Sequence, residues 1–292
     1  MNRRDFGRAS AVALAAGGPL VRALAAGAAA PGRAGQDRWA QIERGVHGRL
    51  GVAVLDTATG MLSGHRLDER FPMCSTFKFL AAALVLARVD AGQEQLDRRV
   101  VITQADLLDW APVTGKRVGQ AMSVAELCEA AVTVSDNPAA NLLLASVGGP
   151  AGVTAFARRI GDGVTRLDRT EPALNESRPG DPRDTSTPRA MAQTLRTLLL
   201  GTALSDRSRA RLAQWMTATS TGAARLPAGL PAGWRIAHKT GSGRLGTTND
   251  VGVLWPPSGA PRVVVTYLTQ CKAPEAEREG ALAKVARAVT GA

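Results

Sequence analysis

The chain has 292 residues, 45% of them hydrophobic and 21% charged, which is enough for one large domain or two modest ones. Apart from an Ala/Gly-rich start, this composition excludes collagen-like, coiled-coil and low-complexity architectures. No apolar run after residue 30 approaches the roughly 20 residues that span a bilayer. The formal net charge of +11 favours anionic small molecules, whereas scattered basic residues and an aromatic content of 4% argue against a nucleic-acid surface.

Residues 1–30 read as an export signal and leader rather than as fold. Asn2-Arg3-Arg4-Asp5-Phe6 carries a twin arginine, a weakly apolar stretch runs from Ala9 to Leu24, and small-residue cleavage signals follow at Ala23-Leu24-Ala25 or Ala26-Gly27-Ala28. The segment resembles a twin-arginine export signal; an ordinary secretory signal is the alternative. Either implies a periplasmic or secreted protein. Removing the leader up to Ala26 takes away Arg3, Arg4, Arg8 and Arg22 against Asp5, a net +3, and leaves about +8.

Asp37 to Val46 reads as a short helix, Arg49 to Asp56 as a strand, Thr57-Ala58-Thr59-Gly60 as a turn, and Met61 to Leu67 as a returning strand. From Ser75 to about Ala91, Phe79, Leu80, Ala83, Leu84 and Ala87 recur at helical spacing, and Gly92 is a plausible stop. The middle, to about Trp215, is mostly helical, with helices predicted over Ser123 to Thr133 and Pro138 to Val147. Its exception is a long irregular stretch, about 166–188, rich in Pro, Asp, Arg and Gly; so long a loop inside a compact domain is usually functional. Strands return at Trp234 to Lys239, Asn249 to Trp255 and Arg262 to Leu268, before a last helix from about Pro274 to Val289.

This order predicts an α/β (α+β) fold, in which one antiparallel sheet, built from both chain ends and flanked by helices, carries an inserted all-α domain. The expected division is 31–66 with 217–292 for the α/β part and 67–216 for the α part. The cleft between them is a natural small-molecule site. Three cysteines, Cys74, Cys128 and Cys271, leave at least one thiol free. His47, His65 and His238 show no ligand spacing, so no metal is expected.

Three short elements carry the chemistry. Ser75-Thr76-Phe77-Lys78 places a hydroxyl at a helix start and an ammonium one turn later, on the same face, so that the lysine can reach the serine oxygen. Developing negative charge beside Ser75 would gain from the helix N-terminus. Ser135-Asp136-Asn137 follows a helix end, and His238-Lys239-Thr240-Gly241-Ser242-Gly243 lies on a strand. Alone, each has an ordinary structural reading: a helix cap with a solvated lysine, a cap and turn, and an edge strand with a bulge.

In this order the three elements resemble the set shared by class A serine β-lactamases and penicillin-binding proteins. A fourth, Arg169-Thr170-Glu171-Pro172-Ala173-Leu174-Asn175 inside the long loop, resembles the Ω-loop signature of class A, which penicillin-binding proteins lack. Thr247-Thr248-Asn249-Asp250, with Cys74 and Ser242, resembles the cefotaxime-hydrolysing, extended-spectrum branch.

The resemblance implies hydrolysis of β-lactam antibiotics through a serine acyl-enzyme, with no cofactor, by a monomer that binds neither membrane nor nucleic acid. It implies that Ser75 is the nucleophile and that Lys78, or Glu171 through a water, is its base. Glu171 with Asn175 would hold and deprotonate the hydrolytic water, and the backbone N–H groups of Ser75 and Ser242 would form the oxyanion hole. Ser135 would relay a proton to the lactam nitrogen, Asn137 would bond the acylamido carbonyl, and Lys239, Thr240 and Ser242 would meet the substrate carboxylate. Trp110 falls where the family places an aromatic at the cleft mouth.

The chain also departs from the family pattern. Thr248 stands where class A enzymes often carry an arginine for the substrate carboxylate, and Arg225 falls where other members supply a replacement. The partner positions of two family disulfides, Gly243 for Cys74 and Ala82 for Cys128, hold no cysteine, so three free thiols are expected. His238 stands where aspartate is frequent, and a structural role at the strand edge is expected of it. The alternatives to a hydrolase are a penicillin-binding sensor that acylates and stops, and a DD-peptidase; neither needs Glu171 and Asn175.

Overall fold

The computed structural model describes residues 31–292, and side chains from residue 38 onward. The predicted export leader lies outside the described residues.

The central feature is a five-stranded sheet in the order β2-β1-β9-β8-β7, antiparallel throughout. Its strands are β1 (Arg49–Asp56), β2 (Leu62–His65), β7 (Arg235–Gly243), β8 (Thr247–Trp255) and β9 (Arg262–Thr269). The sheet therefore joins the two ends of the described chain, as the order of predicted elements implied. On β9, Val263, Val265 and Tyr267 enter one core while Val264 and Leu268 enter another. The second core is closed by α1 (Pro31–Val46) and α8 (Glu275–Thr290), with Trp39, Leu282 and Val285 packed on the sheet. Burial of both faces explains why these strands read as nearly continuous apolar runs rather than as alternating ones.

The first core is shared with the helices between β2 and β7. Those helices are α2 (Phe77–Asp90), α3 (Val124–Thr133), α4 (Asn137–Ser146), α5 (Gly149–Arg159), α6 (Pro188–Leu199) and α7 (Asp206–Thr217). Local chemistry sets their starts. Ser123 and Glu126 form a capping box on α3, Asp136 caps α4, and Thr187 and Ser205 cap α6 and α7. Every residue of α2 from Phe77 to Leu86 is buried, so this helix runs through the core with no solvated face.

Two features differ from the sequence reading. Ser75 does not begin the helix: it lies in a 3-10 turn, Cys74–Thr76, and α2 starts two residues later. The helical part also carries two short antiparallel ribbons. One pairs β3 (Phe71–Pro72) with β6 (Thr185–Ser186), and the other pairs β4 (Arg99–Val101) with β5 (Ala121–Ser123). The first ribbon fastens the end of the long loop to the strand that leads into Ser75.

Candidate active site

The site forms where the Ser75 turn, the α3–α4 junction, the long loop and the edge strand β7 converge. Cys74 and Ser135 both sit in left-handed backbone, at φ of 46° and 61°. For non-glycine residues this is uncommon and gathers at functional sites. Gly241 lets β7 come close, since a Cβ there would lie 2.6 Å from the Met73 carbonyl oxygen. Asn249 Nδ2 ties β8 to the same turn by donating to the carbonyls of Pro72 and Met73.

The Ser75 hydroxyl donates to Glu171 Oε1 at 3.0 Å, and Lys78 Nζ lies 3.0 Å from the same oxygen. Lys78 also donates to Ser135 O at 2.8 Å, Ser135 Oγ at 3.3 Å and Asn137 Oδ1 at 2.6 Å. It thus meets Ser75 through the shared carboxylate oxygen, where a direct contact was expected. Ser135 Oγ accepts a second ammonium, from Lys239 Nζ at 3.1 Å. Lys239 also donates to the Thr240 carbonyl at 3.0 Å.

Asn175 Nδ2 donates to Glu171 Oε2 at 2.6 Å, while its own Oδ1 is buried with no hydrogen-bond partner among the described residues. Asn141 holds the Glu171 backbone at both ends: Nδ2 donates to the Glu171 carbonyl and Oδ1 accepts from its N–H, each at 2.9 Å. The Glu171-Pro172 peptide bond is cis.

The site is electrically crowded. Burial pushes the Lys78 pKa down, against the opposing pull of the Glu171 carboxylate. Burial, reinforced by the positive charges of Lys78 and Arg225, pushes the Lys239 pKa well below the ordinary lysine value. Asp136 is fully buried and spends its carboxylate on the N–H groups of Val113, Thr114 and Ala139 and on the Thr114 hydroxyl. It fixes the junction that presents Ser135 and Asn137.

Farther along β7, Ser242 Oγ accepts from Arg225 Nη2 at 2.9 Å. Arg225 is buried, and its Nε donates to Glu279 Oε1 at 2.9 Å. Thr240 Oγ1 is 2.6 Å from Thr221 Oγ1. Trp110 is 53% exposed and so is not a core residue. Its indole N–H donates to the Val134 carbonyl, and its own carbonyl accepts the Asn137 N–H. Every predicted site residue therefore lies in or against this one cluster.

Sequence reasoning missed Asn141, Glu279 and Arg278, and it named Asp136 only within its motif, without a role. Arg278 Nε donates to Thr248 Oγ1 at 3.1 Å, so a cation from α8 meets the position where an arginine is frequent in the resembled family. His238, on the edge strand β7 where a structural role was expected of it, is buried against Asp250, with Nδ1 2.8 Å from Oδ1. Among the described residues no group of three or more His, Cys, Asp or Glu residues could hold a metal ion.

A serine hydroxyl in direct contact with a buried carboxylate, beside two buried ammonium groups, is equipped for acyl transfer. The family model for the beta-lactamase enzyme family matches residues 36–292. Beta-lactamase CTX-M-8 of Citrobacter amalonaticus is 51% identical over 255 residues, covering 87% of this chain and 88% of its own. Beta-lactamase OXY-1 of Klebsiella oxytoca is 47% identical over 284 residues, covering 97% of each. The solved structure of an ancestral class A beta-lactamase superposes with a TM-score of 0.87 at 61% identity, covering 88% of this chain and 99% of that one. The chain belongs to the beta-lactamase enzyme family and, within it, to class A.

Proposed function

We propose that the chain hydrolyses penicillins and cephalosporins through an acyl-enzyme on Ser75, and that Glu171 serves both half-reactions. The observation that carries this is the position of Glu171, whose two carboxylate oxygens separately hold the Ser75 hydroxyl and the Asn175 amide. In acylation Ser75 Oγ attacks the lactam carbonyl carbon and its proton passes to Glu171 Oε1. The C–N bond breaks, the ring nitrogen takes a proton that Ser135 relays from Lys78, and Glu171 passes the proton it took from Ser75 back to Lys78, 3.0 Å away, so that it is a carboxylate again. Backbone N–H groups of Ser75 and Ser242 would hold the oxyanion.

Once Ser75 Oγ is an ester it has no proton to donate, and Glu171 Oε1 becomes available to a water. Asn175 Oδ1, buried and without a donor among the described residues, supplies that water with a second acceptor. The water loses a proton to the Glu171 carboxylate and attacks the ester carbon, the C–Oγ bond breaks, and Ser75 Oγ takes that proton back from Glu171 as the acid product leaves. Asn137 would orient the acylamido carbonyl, with Trp110 at the mouth. Lys239, Thr240 and Ser242 would hold the carboxylate, with Arg225 acting through Ser242.

Around this chemistry we place a monomeric, cofactor-free enzyme that is exported to the periplasm or beyond, by the twin-arginine route, and binds neither membrane nor nucleic acid. The helical part, 67–216 with the Ω-loop at 166–188, is inserted into an α/β part made of 31–66 and 217–292. Steady-state turnover of a penicillin and a cephalosporin, together with intact-mass analysis of Glu171→Ala, tests the reading. The parent should turn over many equivalents while the variant accumulates a stable acyl adduct. A parent that acylates once and stops would mark a sensor, and release of D-Ala from a D-Ala-D-Ala peptide would mark a peptidase.

A further inference from the structure

We infer that His238 is a positioning residue for recognition of the substrate carboxylate, acting through Asp250 on the turn that carries Arg225. The inference rests on the role proposed above for Arg225 and Ser242.

Side chains alternate along β7, so Lys239 points to Ser135 in the cleft while His238, Thr240 and Ser242 share the other orientation. The segment 219–226 lies over that second face. It is pinned by Thr219 Oγ1 donating to the His238 carbonyl at 2.8 Å and by the Thr221–Thr240 hydroxyl contact. Its last anchor is the Leu226 N–H, which donates to Asp250 Oδ2 at 3.2 Å. Arg225, one residue earlier, has irregular backbone with φ of −90° and ψ of −132°, so the anchors and not a regular element set its place.

Asp250 is therefore the hinge of the arrangement, and its other oxygen is taken by His238. The His238 and Asp250 side chains are 4% and 0% exposed. An ionised carboxylate only accepts, so the proton between them sits on His238 Nδ1. Without that donor Asp250 would be a buried carboxylate with one backbone partner, and such a group is costly until it finds another. Lys239 lies within its electrostatic reach and Arg225 is the neighbour of its backbone partner Leu226; both are assigned to the substrate. His238 satisfies Asp250 and so leaves Arg225 to Ser242 and Lys239 to the cleft.

The test compares KM and kcat on a penicillin for His238→Ala, His238→Asn, Arg225→Ala and the His238→Ala/Arg225→Ala pair. His238→Ala should raise KM roughly threefold to tenfold, the worth of one hydrogen bond, with kcat within about twofold. His238→Asn keeps an N–H near the Nδ1 position and should restore KM. In the Arg225→Ala background His238→Ala should add nothing further. If Arg225→Ala raises KM while His238→Ala is silent, the inference fails and the carboxylate reading stands. If Arg225→Ala is itself silent, that reading fails and the inference falls with it. Ring-nitrogen NMR of the unaltered protein gives a readout that needs no variant: it should show His238 protonated at Nδ1. A ring protonated at Nε2 alone would overturn the inference.

Discussion

Arg169 and Asp184 close the neck of the Ω-loop: Arg169 Nε donates to Asp184 Oδ2 at 2.6 Å, with the aspartate side chain 1% exposed. The other oxygen, Oδ1, accepts the backbone N–H groups of Asp168 and Arg169 at 2.8 and 2.9 Å. A single carboxylate thus holds the irregular segment that leads directly to Glu171. Arg169 also pairs with Glu176 at 2.7 Å on the far side of the loop.

Asp184→Ala removes all of these acceptors and leaves a half-buried guanidinium with Glu176 alone. Breaking a buried pair from one side costs more than the pair itself contributes. Penicillin turnover should fall by about tenfold or more, because the Glu171 carboxylate loses its fixed position. Hydrogen exchange over residues 166–188 should quicken. Asp184→Asn, which keeps an acceptor for the two N–H groups, should fall between the parent and the alanine variant. Unchanged kinetics with unchanged exchange would show that the loop is held by something else.

Much of this was legible in the sequence, and the reasons differ by element. Runs of strand-forming residues marked β1, β7, β8 and β9, and the helices predicted over Ser123 to Thr133 and Pro138 to Val147 fall within a residue of α3 and α4. Motif order located Ser75, Lys78, Ser135, Glu171 and Lys239. The 3-10 turn at Ser75 was not legible, because local propensity does not show that Gly241 and Asn249, far along the chain, pack against that turn. The partners of Arg225 and His238 were hidden for the same reason: Glu279 lies 54 residues from Arg225 and Asp250 lies on a neighbouring strand. The short ribbons were missed because a two-residue strand has no period to read.

Cys74, Cys128 and Cys271 are all free and buried. Burial pushes the Cys74 thiol up to about 12, with the Ser177 hydroxyl opposing, so almost no thiolate exists at neutral pH. Thiol titration of the folded protein should therefore be slow, and titration of the denatured, unreduced protein should find all three. A count of one after denaturation would mean that two of them are bridged.

The depressed Lys239 pKa gives the alkaline limb of the pH profile a direction. In the proposed reading the ammonium form holds the substrate carboxylate, and that proton leaves as pH rises past a value well below that of a solvated lysine. KM for a penicillin should accordingly rise on the alkaline side earlier than a solvated lysine would allow, whereas no loss of this contact is expected as pH falls. Lys239→Arg carries a guanidinium that does not deprotonate in this range and should flatten that limb. An alkaline KM limb that survives in Lys239→Arg would assign it to another group.

Arg225 is the residue whose geometry most changes what the sequence suggested. A guanidinium has five N–H donors. Here Nε donates to Glu279, Nη1 to the carbonyls of Gly241 and Asn249, and Nη2 to Ser242 Oγ. One Nη2 proton is left, so a bidentate grip on a substrate carboxylate is not available without rearrangement. By filling one acceptor site on Ser242 Oγ, Arg225 leaves the serine's own proton available to the substrate carboxylate in the proposed reading. Arg225→Ala should cost about tenfold to a hundredfold in kcat/KM for penicillins and cephalosporins alike, since a charge-assisted bond is worth roughly 1.5–3 kcal/mol. Ser242→Ala should cost part of the same amount, and the double variant should fall short of the product of the two single losses, because one removes what the other orients. Glu279→Gln keeps an acceptor for Nε and should be milder than either. Full additivity of Arg225→Ala and Ser242→Ala, with melting temperatures unchanged, would show that Arg225 meets the carboxylate independently of Ser242.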